Sequence, residues 1–275
     1  MGKKVRIGNI EIGGRPFVFI GGPCVIEGEE ITLRIAKELK RITEELSIPF
    51  IFKSSYDKAN RTSIKGFRGP GLEEGLRILK KVKEEIDVFV LTDVHSVEEV
   101  EKVKEVADII QVPALLSRQT DLLIACGKSK KAVNIKKGQF MSPYDMRYAI
   151  EKVEYAGNNS IIVTERGTFF GYRNLVCDFR SIPIMKDFGY PVIFDATHSV
   201  QIPGGMGDRS GGERRFAFPL ARCAIACGAD GIFMEVHENP EKALCDGENS
   251  IPLKDLPEML RVLKKIEEAV CIQKA

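Results

Sequence analysis

Short apolar segments recur along the chain, and each is followed by a stretch in which apolar residues return every three or four positions. The short segments are almost continuously apolar, which is typical of strands buried on both faces of a parallel sheet. The longer stretches carry charge at their other positions, which is typical of amphipathic helices. The eight strand-like segments are "FVFIGG", "PFIFKSS", "VFVLTDV", "DIIQVPA", "AVNIKKG", "SIIVTERG", "PVIFDATH" and "GIFMEVH".

Eight strands that alternate with helices predict an α/β fold, a (β/α)8 TIM barrel, and 275 residues is an ordinary length for one. The N-terminal "MGKKVRIGNIEIGG" alternates around Gly8 and Asn9, so we expect a β-hairpin that plugs the bottom of the barrel. A doubly wound open sheet is the alternative, but no GxGxxG motif follows the first strand. Because no linker divides the chain, we predict a single barrel domain over residues 1–275.

The composition is that of a globular protein with a substantial core, with 44% hydrophobic and 29% charged residues. The formal net charge is only +2, so no overall field would attract nucleic acid or a membrane surface. No apolar segment is long enough to span a bilayer, and the N-terminus lacks the apolar core of a signal peptide. We therefore expect a cytoplasmic protein.

The seven cysteines favour reduced thiols over a disulfide framework, because their number is odd and the chain is long. Cys223 and Cys227 lie in the apolar sequence "LARCAIACGAD", where we expect buried structural thiols. Cys24 follows the first predicted strand in "FVFIGGPCVIEG". Its residue type alone leaves four roles open: packing, a disulfide, a nucleophile or a metal ligand.

Chemically capable side chains stand at the end of every predicted strand. The active site of a barrel lies at the C-terminal ends of its strands, and a charge buried there is costly unless it is paired or bound. One such residue could belong to a surface turn, but eight in series indicate a site. The residues are Cys24, Lys53, Asp93, His95, Gln111, Lys136, Lys137, Glu165, Arg166, Asp195, His198, Glu235 and His237.

The candidate residues divide into a cationic set and a set of metal-ligand types. Lysine and arginine are natural ligands of phosphate and carboxylate, so the first set predicts an anion pocket, unless its members are solvated loop charges. Cys24, His198, Glu235 and Asp246 suit a divalent ion such as Zn²⁺, Fe²⁺ or Mn²⁺, although their spacing gives almost no support. The cationic set is Lys53, Lys58, Arg61, Arg68, Arg118, Lys136, Lys137 and Arg166.

Two loop sequences add to this picture. "DKANRTS" follows the second strand and concentrates phosphate- and hydroxyl-binding groups, although a polar turn would have the same composition. The glycine-rich "HSVQIPGGMGDRSGG" follows the seventh strand and predicts a long mobile loop that could close over the site.

Long stretches of the chain resemble the family of 3-deoxy-D-manno-octulosonate 8-phosphate synthases, over nearly the whole length. The resemblance implies a transferase that condenses phosphoenolpyruvate with D-arabinose 5-phosphate and releases phosphate, in lipopolysaccharide biosynthesis. It also implies a homotetramer. The stretches are "GGPC", "FKSSYDKANRTS", "FRGPGLEEGL", "TDVH", "QVPALLSRQTDLL", "VNIKKGQF", "TERGTFFGYRNLVCDFRS", "FDATHSVQIPGG" and "HENPEKALCDG".

The resemblance also implies roles for many of the candidate residues. Lys136 and Arg166 resemble ligands of the carboxylate and phosphate of phosphoenolpyruvate, with Lys53 nearby. The other substrate-binding candidates are Lys58 and Asn60 for the sugar, Arg61 and Thr62 for its phosphate, Asp93, Gln111, Ala114 and Gln201 for the pocket, and Arg118 for a neighbouring subunit's site. The catalytic candidates are Lys53, Asp93 and His198.

The same family divides into members that need a metal and members that do not. The first carry cysteine at the position of Cys24, whereas the second carry asparagine. The resemblance therefore implies a metal-dependent enzyme with Cys24, His198, Glu235 and Asp246 as ligands, and it leaves the identity of the divalent ion open.

Two alternatives remain at this point. The sister enzyme, 3-deoxy-D-arabino-heptulosonate 7-phosphate synthase, uses erythrose 4-phosphate and typically has Lys-Pro-Arg-Thr-Ser where this chain has "KANRTS". Asn60 adds a hydrogen-bonding group that a longer sugar phosphate could use. The second alternative is a catalytically silent barrel that only binds sugar phosphates or a partner, and it predicts gaps in the reactive set.

Overall fold

The computed structural model describes residues 2–172, 174–205 and 210–272. Its helices are α1 (Glu29–Glu45), α2 (Leu72–Ile86), α3 (Val97–Val103), α4 (Thr120–Lys128), α5 (Met146–Tyr155), α6 (Ser181–Lys186), α7 (Ala217–Ala226) and α8 (Leu256–Ile272). Its strands are β1 (Val5–Ile7), β2 (Ile10–Ile12), β3 (Val18–Gly22), β4 (Phe50–Lys53), β5 (Phe89–Asp93), β6 (Ile109–Val112), β7 (Ala132–Lys136), β8 (Ile161–Glu165), β9 (Thr168–Gly171), β10 (Asn174–Val176), β11 (Val192–Asp195), β12 (Gln201–Ile202), β13 (Gly211–Gly212), β14 (Gly231–His237) and β15 (Ile251–Pro252).

Eight parallel strands close into a barrel in the order β3, β4, β5, β6, β7, β8, β11 and β14. The ring closes because β14 pairs with both β11 and β3. Each of the eight apolar segments supplies one barrel strand. The predicted (β/α)8 barrel is therefore confirmed, and the open-sheet alternative is wrong.

The N-terminal hairpin fills the bottom of the barrel, as predicted. β1 and β2 pair antiparallel, with Val5 opposite Ile12 and Ile7 opposite Ile10. These four side chains join one apolar cluster with residues from the barrel interior, and the cluster excludes water from that end. The barrel residues of the cluster are Val18, Ile20, Ile51, Leu91, Ile109, Ala132, Ile162, Ile193 and Phe233.

The helices form an outer layer whose apolar faces pack on the barrel. α1, for example, buries Ile35, Leu39 and Ile42, while its other face carries charged residues. This packing forms the larger apolar core, between the helices and the outer face of the strands. Within the described ranges, no helix combines the length and the apolarity needed to cross a membrane.

Cys223 and Cys227 are exposed, so the prediction of buried structural thiols is wrong, because α7 turns Ala221, Ala224 and Ile225 toward the core instead.

The centre of the predicted lid, residues 206–209, lies outside the described residues. Its flanks pair as β12 and β13, and its motion stays a prediction.

Gly231 begins β14 at a crowded point of the barrel. A Cβ atom there would lie 2.5 Å from Val18 Cγ1 and 2.6 Å from both Ile193 Cδ1 and the Val18 carbonyl oxygen. Overpacking of this kind costs about 1–3 kcal/mol. We expect Gly231→Ala to lower the free energy of unfolding by roughly that amount, measured by denaturant titration.

The matched control for this substitution is Gly171→Ala in β9, where an added Cβ would meet no atom within 4 Å. The control should unfold at the wild-type denaturant concentration. Equal stability of the two variants would contradict the crowding argument.

Candidate active site

A cavity of about 740 Å³ opens at the C-terminal ends of the barrel strands. Of the 16 residues that were given a catalytic, substrate-binding or metal-binding role, three lie outside its wall. Cys24 and Glu235 are buried beside it, whereas Arg118 is exposed and borders a second, smaller cavity. The predicted residues that line the main cavity are Lys53, Lys58, Asn60, Arg61, Thr62, Asp93, Gln111, Ala114, Lys136, Arg166, His198, Gln201 and Asp246.

Asp93, at the end of β5, is the centre of a buried polar network. Lys53 Nζ donates to Ser55 Oγ at 2.8 Å and lies 3.5 Å from Asp93 Oδ2. Ser55 and Gln111 each donate a hydrogen bond to one carboxylate oxygen of Asp93. Burial alone would raise the pKa of Asp93, but the positive charges of Lys53 and nearby lysines outweigh it and hold the pKa well below its usual range.

The network continues across two further strands. Asn134 Nδ2 donates to Gln111 Oε1 at 2.8 Å, and Thr164 Oγ1 donates to Asn134 Oδ1 at 2.7 Å. The hydrogen-bonded chain therefore crosses the barrel from β4 to β8. Sequence reasoning did not find Ser55, Asn134 or Thr164, although a polar residue inside an apolar strand is itself a signal of buried hydrogen bonding.

A second network begins at Lys136, at the end of β7. Its Nζ lies 2.6 Å from Asp195 Oδ2, and the same carboxylate lies 2.7 Å from His198 Nδ1. His198 Nε2 lies 3.3 Å from Glu235 Oε1, which is also 3.7 Å from Lys58 Nζ. Burial alone would raise the pKa of Glu235, but the charges of His198 and Lys58 lower it to about 2. Asp195 and Glu235 are therefore carboxylates at neutral pH.

Two arginines in the cavity each have a buried guanidinium nitrogen that donates no hydrogen bond to a described residue. Arg166 Nη2 donates to Gln201 Oε1 at 3.1 Å, and Arg61 Nε donates to the carbonyl of Phe67 at 2.8 Å. Arg166 Nη1 and Arg61 Nη2 are buried, and no described residue accepts a hydrogen bond from either nitrogen. A buried unpaired donor is costly, so both guanidinium groups are suited to bind an anion.

The four residues of metal-ligand type meet at Asp246. Its Oδ2 atom lies 3.6 Å from Cys24 Sγ and 4.0 Å from His198 Nε2. Glu235 is 1% exposed, and neither of its carboxylate oxygens has a hydrogen-bond partner among the residues that the structure describes. The barrel thus brings together donors that lie up to 222 residues apart in the sequence.

The fold brings a pair of cysteines, Cys24 and Cys245, into contact, and the expectation that the chain has no disulfide framework stays a prediction. Their Sγ atoms lie in disulfide contact, and their Cα atoms are 6.0 Å apart, a usual separation for a disulfide. Cys24 follows β3 and Cys245 lies in the loop after β14, and these two strands are neighbours in the barrel. Sequence reasoning missed the pair because 221 residues separate the two cysteines.

A closed parallel barrel with a cationic cavity at its strand ends defines a (β/α)8-barrel enzyme for anionic substrates. The chain belongs to the DAHP synthetase I family, whose family model matches residues 3–271. It is similar to the protein named 2-dehydro-3-deoxyphosphooctonate aldolase from Geotalea daltonii, with 59% identity over 98% of this chain and 100% of that protein. The protein of the same name from Geobacter sulfurreducens is 58% identical over the same shares of both chains. That name denotes a 3-deoxy-D-manno-octulosonate 8-phosphate synthase, so the resemblance seen in the sequence is confirmed.

Glu99 on α3 braces the rim of the cavity. Its Oε2 atom accepts hydrogen bonds from Tyr56 Oη at 2.6 Å and from the His95 backbone N–H at 2.7 Å. Burial alone would raise the pKa of Glu99, but His95 and Tyr56 together lower it to about 2. The carboxylate therefore ties the ends of β4 and β5 to the helix that follows them.

This pKa shift predicts a pH-dependent cost for Glu99→Gln. The folded-state pKa lies below the ordinary value of 4.5, so the charge stabilises the fold above about pH 4.5 and stops doing so as pH falls toward 2. We expect the variant to lose about 2 kcal/mol of unfolding free energy at pH 7. The loss should shrink at pH 3, measured by denaturant unfolding.

Glu105→Gln is the control for this experiment, because Glu105 is exposed just beyond the same helix. It should have the same small effect at both pH values. A Glu99→Gln cost that stays constant from pH 7 to pH 3 would show that the charge is not what stabilises the rim.

Proposed function

We propose that the chain condenses phosphoenolpyruvate with D-arabinose 5-phosphate and water, giving 3-deoxy-D-manno-octulosonate 8-phosphate and inorganic phosphate. The observation that carries the proposal is the pair of buried guanidinium nitrogens in one cavity, Arg166 Nη1 and Arg61 Nη2. Two anionic substrates would supply the missing acceptors. Full-length identity of 56–59% to proteins named for this product supports the same reaction.

Phosphoenolpyruvate would bind where Lys136 and Arg166 meet, with Lys53 nearby. Lys136 Nζ lies 4.1 Å from the centre of the Phe233 ring and pairs with Asp195, so its position is fixed before substrate arrives. The two cations would hold the carboxylate and the phosphate. Their positive charge also allows two anionic substrates to occupy one cavity.

Arabinose 5-phosphate would bind along the loop after β4. Asn60 and Thr62 are exposed, and Arg61 is partly buried between them, which suits a clamp for the sugar's phosphate. Lys58 is more deeply buried, 3.7 Å from Glu235, and would contact the sugar itself. Thr62 stands where the resembled family usually has serine, and it keeps the hydroxyl group.

The reaction forms one carbon–carbon bond and one carbon–oxygen bond, from C2 to the oxygen of water, and it breaks the carbon–oxygen bond between C2 and phosphate. C3 of the enol attacks the aldehyde carbon, water adds at C2, and the resulting tetrahedral intermediate expels phosphate. Lys136 and Arg166 would stabilise the leaving phosphate, and Lys53 with Asp93 would handle protons at the reacting groups. Gln111, Ala114 and Gln201 would complete the pocket wall.

The residues present also fit a divalent metal. Neither oxygen of Glu235 forms a hydrogen bond to a described residue, although Oε1 lies 3.3 Å from His198 Nε2. His198 Nδ1 lies 2.7 Å from Asp195 Oδ2, and metal-binding histidines commonly have a carboxylate on this side. Cys24, His198, Glu235 and Asp246 would hold the ion, provided that the Cys24–Cys245 disulfide is reduced. When bound, a metal such as Zn²⁺, Fe²⁺ or Mn²⁺ would position the aldehyde or lower the pKa of the attacking water.

We further propose a cytoplasmic homotetramer. Arg118, Phe140 and Tyr148 line the second cavity, and all three are exposed in the single chain. A neighbouring subunit would cover these aromatic rings and bring Arg118 toward another active site. Light scattering should then give a mass four times that of the 30.6 kDa chain.

The sister reaction with erythrose 4-phosphate is the second candidate, because the family model covers the DAHP synthetases. Asn60 favours the longer sugar, since a four-carbon substrate would leave its amide without a hydroxyl partner. Parallel assays with both sugar phosphates separate the two reactions. Faster turnover with erythrose 4-phosphate would reverse the assignment.

The reaction and its metal dependence can be tested together. We expect phosphate release with both substrates, loss of that activity after chelation, and recovery when a divalent ion is restored. Cys24→Asn should retain part of the turnover without metal, because asparagine occupies this position in the metal-independent members of the resembled family. Phosphate release is measured colorimetrically.

Cys223→Ser is the matched control, because that thiol is exposed on α7 and does not line the cavity. It should keep both the activity and its sensitivity to chelation. Full turnover by metal-stripped wild type would refute the metal assignment. Absence of turnover with every divalent ion restored would refute the reaction and favour a silent barrel.

A further inference from the structure

A buried pair, Glu27 and His237, lies outside the cavity wall and touches the segments that carry the proposed metal ligands. The two side chains are 10% and 5% exposed, and Glu27 Oε2 lies 3.4 Å from His237 Nε2. Glu27 follows Cys24 by three residues. His237 follows Glu235 by two residues on β14, so their side chains leave the same face of the strand.

Glu27 also reaches the loop that carries the remaining carboxylate. Its Oε1 atom accepts a hydrogen bond from the Leu244 backbone N–H at 2.8 Å. Leu244 stands two residues before Asp246. One carboxylate thus joins three separate segments, which hold Cys24, Glu235 and Asp246.

The orientation of the His237 ring is fixed by its other nitrogen. The Asn239 backbone N–H donates to His237 Nδ1 at 3.0 Å, so the proton of the neutral ring is on Nε2 and faces Glu27. Within the described part of the chain, Nε2 has no partner closer than this carboxylate. The two atoms are 3.4 Å apart and do not form a hydrogen bond, so a small movement of the loop would be needed to bring them into hydrogen-bond geometry.

We propose that Glu27 and His237 are positioning residues for the metal site. They hold the segment after β3, the end of β14 and the following loop at the separation that a shared ion requires. This inference rests on the metal dependence in the proposed function. Partners that hydrogen-bond the ligands directly typically contribute about 10- to 100-fold to metal affinity, which is the range expected for an effect on the segments that carry the ligands.

Three substitutions separate positioning from mere packing. Glu27→Gln keeps an oxygen for the Leu244 N–H but turns an amide N–H toward the proton of His237 Nε2. His237→Gln keeps a donor that can face Glu27, whereas His237→Leu has a similar volume and no donor. A positioning role therefore predicts that His237→Gln keeps part of the Zn²⁺ affinity that His237→Leu loses.

The neighbouring ion pair between Arg34 and Glu238 supplies a matched control. It joins α1 to the same loop, with Arg34 Nε and Nη2 at 3.1 and 3.2 Å from the two carboxylate oxygens. Its side chains are 50% and 34% exposed, so the pair should contribute little. Arg34→Ala disturbs the same region and leaves Glu27 and His237 intact.

The test is the Kd for Zn²⁺ of the full-length protein, measured by competition with a chromophoric chelator in the presence of a phosphine reductant. We expect Kd to rise about 10- to 100-fold in Glu27→Gln and His237→Leu, and by less in His237→Gln. Arg34→Ala should match wild type. Denaturant unfolding of the metal-free proteins should give nearly equal midpoints for His237→Leu and His237→Gln.

Unchanged Kd values in Glu27→Gln and His237→Leu would overturn the inference and leave the proposed metal dependence standing. Equal Kd values for leucine and glutamine at position 237, with lower metal-free stability in both, would show a packing role only and would also overturn it. If wild type itself binds no Zn²⁺, the metal part of the proposed function fails, and the inference fails with it.

Discussion

Charge buried at the C-terminal ends of eight parallel strands is the constraint on which the site depends. Lys53, Asp93, Lys136, Asp195 and Glu235 are all nearly inaccessible to solvent. An isolated buried charge would cost several kcal/mol, so each must lie beside an opposite charge or a hydrogen-bonding partner. The two buried networks satisfy most of these groups before any substrate binds, and they fix the side chains in place.

The buried polar atoms that these networks leave without a hydrogen-bond partner also indicate what the site could bind. Arg166 and Arg61 each keep one buried nitrogen without an acceptor, and Glu235 keeps two oxygens without a donor, among the residues described. The first pair faces a cavity suited to anions, and the second group faces His198 and Asp246. The site thus holds unpaired donors and unpaired acceptors in close proximity, since Arg61 Nη1 lies 3.9 Å from Asp246 Oδ1 and Lys58 Nζ lies 3.7 Å from Glu235 Oε1.

Cys24 contacts both a second cysteine and a carboxylate of the site. The same sulfur lies in disulfide contact with Cys245 and 3.6 Å from Asp246. A thiolate ligand and a disulfide are exclusive states of that atom. The proposed binding of a metal through Cys24 would therefore require a reducing environment, in which the thiol is not paired with Cys245.

The sequence by itself determined the eight strands and the hairpin plug, because eight continuous apolar segments that each end in polar residues fit few folds besides a barrel. Some of the residues that line the cavity, such as Asn60, Ala114 and Gln201, were indicated by the resemblance to a known family and not by the strand pattern. It could not find Ser55, Asn134 or Thr164, which act only through neighbours on other strands. It also misjudged Cys223 and Cys227, because helix periodicity alone did not fix which face of α7 meets the barrel. Tertiary structure alone decided the contact of Cys24 with Cys245 and the contact of Glu27 with His237. Ring closure between β3 and β14 brings those residues together, and no local pattern encodes which strands become neighbours when a sheet closes.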